Sequence, residues 1–111
     1  MDNKKTDIYY ANKIVADIHF ILSHTEGLSQ TDLENDEVLL DSVMFRLIQI
    51  SENSDKLSVN FKSAYGEIPW RAIKGMRNRL VHEYGNVDIS IVYDAVVKDL
   101  PVLIKLLENI L

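Results

Sequence analysis

Apolar residues recur along most of this chain at steps of three and four rather than two, the spacing that builds one face of an α-helix. From about Thr6 to Ser23, Ile8, Ala11, Val15, Ile18 and Leu22 form such a stripe, widened by Ile14 and Ile21. Gly27 then reads as a C-terminal cap, and Ser29-Gln30-Thr31-Asp32 as a turn that supplies N-caps for the next element. Val38, Leu39, Ser42, Val43, Phe45, Leu47, Ile48 and Ile50 resume the helical spacing. Leu57 and Phe61 extend it, which predicts one long second helix from about Asn35 to Lys62, capped by Asp32 or Asn35. Tyr65-Gly66-Glu67-Ile68-Pro69 interrupts the pattern, and Pro69 suits a helix start, where its missing N–H has no partner to lose.

A third helix is predicted from about Pro69 to His82 or Tyr84, stopped by Gly85-Asn86. Gly75 inside it is unfavourable by about 1 kcal/mol relative to Ala, which predicts close packing against another backbone. Asp88 and Ser90 can cap a fourth helix through Ile89, Val92, Val96, Leu100, Leu103, Ile104, Leu107 and Leu111, which Pro101 kinks or restarts. No strand-like alternation, hairpin dipeptide or repeat is present. The expected class is all-α, an antiparallel bundle of four or five helices forming a single domain over residues 1–111.

Composition narrows the chemistry. With no Cys among 111 residues, disulfides, thiolate metal sites and cysteine nucleophiles are excluded. No stretch approaches the roughly 18 uncharged apolar residues of a membrane span, and Met1-Asp2-Asn3-Lys4-Lys5 opens no export signal, so the expectation is a cytoplasmic protein with no membrane partner. The net charge of −5 hides an asymmetry. Between Lys62 and His82 stand Lys62, Arg71, Lys74, Arg77 and Arg79 against Glu67 alone, or 5 − 1 = +4; the remaining 7 basic and 16 acidic residues give −9. A basic segment on an acidic body is suited to a short anion or a strand of RNA.

Three histidines are available. His19 lies beside the first helix's apolar stripe and His24 at that helix's end, where an imidazolium suits the dipole, so both read as structural. His82 closes Arg77-Asn78-Arg79-Leu80-Val81-His82-Glu83-Tyr84 within the basic segment. An imidazole moves protons near pH 7, a guanidinium stabilises phosphate charge and an amide orients either. These are the parts required by an RNA cleavage in which a base takes the 2′-hydroxyl proton, the oxygen attacks phosphorus, and the phosphorane's charge is stabilised. On a regular helix Asn78 and His82 share a face, whereas Arg77 and His82 are about 140° apart. They converge only if the helix loosens near Gly85, if the arginine wraps around, or if a second copy of the chain supplies part of the site.

The run Ile68-Pro69-Trp70-Arg71-Ala72-Ile73-Lys74-Gly75-Met76-Arg77-Asn78-Arg79-Leu80-Val81-His82-Glu83-Tyr84 resembles the HepT family, toxin-like members of the HEPN superfamily of helical ribonucleases. The resemblance rests on the Pro-Trp helix opening, the Gly-Met-Arg-Asn centre and Arg-x-x-x-x-His-x-Tyr, and Arg46-Leu47-Ile48-Gln49-Ile50-Ser51-Glu52 extends it to nearly the full length. Ser51 departs from the pattern, standing where family members often have Gly. The resemblance implies a HEPN-like bundle acting as a metal-independent endoribonuclease and homodimer, with His82 as acid/base, Arg77 on the phosphate and Asn78 in support. It also implies an MntA-like nucleotidyltransferase antitoxin that transfers AMP to Tyr84 and thereby blocks the cleft. No cofactor and no metal ligand is assigned.

Plainer roles stand beside these. Arg71, Lys74 and Arg79 are either solvated surface charge or RNA contacts. Trp70 reads as a core or interface anchor, Tyr9, Tyr10, Tyr65 and Tyr93 as packing residues, and the acidic run from Asp32 to Asp41 as a solvated helix start. A non-catalytic nucleotide-binding adaptor of a nucleotidyltransferase is the main alternative. A histidine phosphotransfer domain fits less well, because its His belongs mid-helix and His82 stands by a helix end.

Overall fold

The structure, a computed structural model, describes residues 6–82 and 88–111, with the backbone alone at Val81 and His82. Helix α1 (Asp7–Thr25) starts where Thr6 accepts a hydrogen bond from the Tyr9 N–H, and it ends before Gly27, whose φ of 76° is the left-handed turn expected of a glycine cap. Its core stripe is Ala11, Ile14, Ile18 and Ile21. The predicted stripe is thus shifted: Ile14 and Ile21 are fully buried, whereas Ile8 is half exposed and Val15 and Leu22 lie at the core's edge.

The predicted turn holds a further short helix, α2 (Gln30–Asn35). Ser29 caps it in a reciprocal box, its hydroxyl accepting from the Asp32 N–H while the Asp32 carboxylate accepts from the Ser29 N–H. Neither Asp32 nor Asn35 caps the next helix. Asp36 does, opening α3 (Glu37–Asp55).

The long second helix predicted from Asn35 to Lys62 is in fact two, α3 and α4 (Val59–Ala64). The break is made by tertiary structure. Ser58 is extended and caps α4, and its own N–H and hydroxyl both donate to the Asp7 carboxylate at 2.7 Å. Helix periodicity continues through Leu57 and Phe61, but an acidic side chain from the start of α1 captures the backbone between them.

Helix α5 (Trp70–His82) follows, its start stapled by Trp70 Nε1, which donates to the Tyr65 carbonyl at 3.2 Å. Gly75 does not meet another backbone, since a Cβ built on it would have nothing within 4 Å. The stop signal at Gly85-Asn86 lies outside the described residues.

Asp88 caps α6 (Ile89–Asp94), which runs through a π-helical turn (Ala95–Asp99) into α7 (Leu100–Ile110). Pro101 has no N–H to continue an i to i−4 ladder and its ring crowds the carbonyl four residues back. The chain widens there, with the Leu100 N–H bonding the Ala95 carbonyl, and the helix restarts.

The long helices α1, α3, α5 and the kinked α6–α7 make the bundle, and the short α2 and α4 fill its corners. Helices α1 and α3 run antiparallel, joined end to end by Asp7 and Ser58 and midway by Asp17 and Arg46, 2.8 Å apart. Helix α7 returns along α1, where His19 pairs with Glu108. Ile14, Ile18, Leu47, Ile50, Leu100 and Leu107 are the centre of the shared core. The described residues are all-α, and none of their helices is long and apolar enough to cross a membrane.

Candidate functional site on α5

Helix α5 turns Ile73, Met76 and Leu80 to the core, which orients everything else it carries. Arg71, Lys74, Asn78 and Arg79 are exposed, and none of the three cations has an ion-pair partner among the described residues. At 100° per residue, positions 71, 78 and 82 fall within about 40° of one another on the face opposite the core. Arg79 lies about 160° around the axis from Arg77. It borders a separate cleft of about 290 Å³ toward α7, together with Lys98 and Val102. The predicted basic group is therefore split: Arg71 and Lys74 share the outward face with Asn78, and Arg79 belongs to the far flank.

Arg77 sits on the near flank, half-buried against α3, where Nε donates to Glu52 Oε1 at 2.9 Å. The two side chains keep 34% and 40% of their exposure, so the pair reaches solvent. Glu52 is the member of this site that sequence reasoning did not assign. No local spacing links residues 25 apart; the only signal was its place in the Arg46 to Glu52 run of the resemblance.

One residue before Glu52, Ser51 is fully buried and donates from Oγ to the Ile73 carbonyl at 2.6 Å. In a regular helix that carbonyl also accepts the N–H of residue 77. The α3–α5 spacing is thus set within one turn of Arg77, and Ser51 uses its hydroxyl where a glycine would leave only a close approach.

The backbone is helical from Trp70 through His82, which leaves positions 77 and 82 about 140° apart on one helix. The His82 side chain, Glu83 and Tyr84 lie outside the described residues.

The remaining candidates take structural places. His24 Nδ1 lies 2.7 Å from the Phe20 carbonyl in the last turn of α1, its ring stacked on Phe20. Tyr93 donates to the Leu28 carbonyl. Arg46 lies over Phe20, its guanidinium carbon 3.9 Å from the ring centre, while holding the nearly buried Asp17. The Asp88 carboxyl is held below its ordinary value by the Ser90 hydroxyl, the Ser90 N–H and the Ile91 N–H, against an opposing effect of burial.

The family model described as "Ribonuclease HepT-like" matches residues 14–110. Among curated proteins, the chain is 32% identical to a "Putative RNase" of Caldanaerobacter subterraneus subsp. tengcongensis, over 96% of both chains. It is 31% identical to a "Probable ribonuclease HepT" of Thermococcus cleftensis, over 88% of this chain and 89% of that one. It is also 33% identical to a Methanocaldococcus jannaschii protein named "Gamma-glutamylcyclotransferase and putative RNase", where 92% of this chain corresponds to 45% of a longer protein. No solved structure matches. With a family match over residues 14–110 and relatives of this identity along almost the whole length, the chain belongs to the HepT-like ribonuclease family.

Proposed function

We propose that this chain is a metal-independent endoribonuclease toxin, a single HEPN/HepT-like domain that works as a cytoplasmic homodimer. His82 moves the proton between the 2′-hydroxyl and the leaving oxygen, Arg77 binds the phosphate as charge builds on it, and Asn78 orients the pair. Arg71 and Lys74 lead the RNA strand along the outward face, and Arg79 contacts it from the far flank. The observation that carries this reading is the anchored arginine: the motif guanidinium is held at Nε by Glu52, next to an exposed helical face bearing Asn78 and cations that have no ion-pair partner among the described residues.

A helix that leaves positions 77 and 82 about 140° apart favours a site completed across a two-fold axis, each copy giving Arg77 to the other's His82. Control runs through Tyr84, to which an MntA-like nucleotidyltransferase antitoxin transfers AMP, placing a phosphate and a nucleoside where RNA must lie. A non-catalytic adaptor that binds nucleotides is the rival reading, and cleavage separates the two. In EDTA the protein should cut RNA but not DNA, because the nucleophile is the 2′-hydroxyl. His82→Ala and Arg77→Ala should lose at least about 100-fold in rate with an unchanged helical spectrum. Undiminished cleavage by purified His82→Ala refutes the assignment.

A further inference from the structure

We propose that Glu52 is the positioning residue for Arg77, turning the guanidinium so that its two terminal nitrogens face the RNA phosphate; this rests on the ribonuclease reading above. The bond is to Nε, at 2.9 Å, and no described residue bonds the Nη nitrogens. A guanidinium is a planar fork, and a carboxylate on its Nε side leaves the Nη pair for two oxygens of a phosphate. Glu52 is itself fixed. It stands on α3 next to Ser51, whose 2.6 Å bond to the Ile73 carbonyl clamps α3 against α5 one turn before Arg77.

Two consequences of opposite sign follow. An unheld arginine must be ordered each time the transition state forms, so the carboxylate raises kcat. The same carboxylate repels the RNA backbone, so it weakens ground-state binding. A residue that merely supports the fold would change the fraction of active protein and leave the affinity of the folded fraction alone. A carboxylate that competes with RNA for Arg77, as an inhibitor would, predicts a faster enzyme when it is removed.

The test compares Glu52→Ala, Glu52→Gln, Glu52→Asp, Arg77→Ala and the Arg77→Ala/Glu52→Ala double variant. The readouts are cleavage of a single-stranded RNA oligonucleotide in EDTA and binding of its 2′-O-methyl counterpart. Glu52→Ala should lower kcat by about 3- to 10-fold, the cost of ordering one long side chain, while tightening RNA binding by about 2- to 5-fold. Glu52→Gln keeps an acceptor for Nε and should lose less kcat yet bind as tightly as the alanine variant. Glu52→Asp, too short to reach Nε, should lose kcat without gaining affinity, and these two variants carry the comparison if Glu52→Ala does not fold. In the Arg77→Ala background Glu52→Ala should cost nothing further, because Glu52 acts through that arginine. The proposal is overturned if kcat is unchanged or raised in Glu52→Ala, or if the same loss recurs in the double variant. Full activity of Arg77→Ala overturns the ribonuclease site itself. A large loss in Arg77→Ala with none in Glu52→Ala overturns only the role given to Glu52.

Discussion

Ser51 offers a substitution whose cost can be worked out from its surroundings and whose effect reaches the site. It is fully buried, and its hydroxyl donates to the Ile73 carbonyl at 2.6 Å. Ser51→Ala removes a bond worth about 1 kcal/mol net, leaves the carbonyl its helical donor from residue 77, and regains up to about 0.5 kcal/mol of helix propensity. The expected loss is about 0.5 kcal/mol. Ser51→Gly adds about 1 kcal/mol for a glycine in a helix interior, for a total near 1.5 kcal/mol. With an unfolding entropy of about 2.1 cal/mol/K per residue over 111 residues, these correspond to Tm losses of about 2 and 6 °C. Thermal unfolding followed by far-UV circular dichroism checks both. Ser51→Val is the functional arm: a branched side chain at a 2.6 Å contact must push α3 from α5, costing about 1–3 kcal/mol, and it should lower RNA cleavage below 25 °C, where the protein is still folded. Equal Tm values for Ser51→Gly and Ser51→Ala would refute the backbone argument. A fully active Ser51→Val would show that the helix spacing does not reach Arg77.

Arg46→Met strands the Asp17 carboxylate, which keeps only 10% of its side-chain exposure; with Arg46 itself 32% exposed, the loss should be about 2–3 kcal/mol in urea titrations, partly restored by adding Asp17→Asn. Asp88 has a lowered carboxyl pKa in the folded chain, so its stabilisation of α6 is complete above the ordinary value of 3.8 and fades as pH falls below it through the folded value. The protection factors of amides 89–94, corrected for the intrinsic pH dependence of exchange, should therefore fall below about pH 4 in the wild type but show no such step in Asp88→Asn, which keeps a cap that does not titrate. Tyr84→Phe should still cleave RNA but escape AMP transfer when incubated with the cognate nucleotidyltransferase and ATP. Mass spectrometry that finds AMP on another residue, or modified protein that is still fully active, would reject control at Tyr84.

Much of this architecture is legible in the chain alone because helices are specified by short-range spacing. The glycine at 27, the cap at Asp88 and the proline at 101 act within a turn or two, and each does in the structure what its chemistry predicts, while the steps of three and four through the first helix give the helix itself but place its buried stripe to one side, on Ile14 and Ile21. The motif is equally local, which is why its residues can be named from the chain and why Arg77 through His82 fall on one helix.

The tertiary structure decided what no spacing encodes. Periodicity runs unbroken through Leu57, yet α3 ends at Asp55 and α4 begins at Val59, with the Ser58 N–H between them bound instead by Asp7, 51 residues away. Val38 and Phe45 look like core in a pattern, but they stand 81% and 58% exposed, since which part of an apolar stripe is covered depends on where the neighbouring helices lie. The partner of Arg77 was hidden for the same reason. Glu52 meets it across two helices whose approach is set by packing and by the Ser51 hydroxyl, and no local spacing marks a pairing over 25 residues.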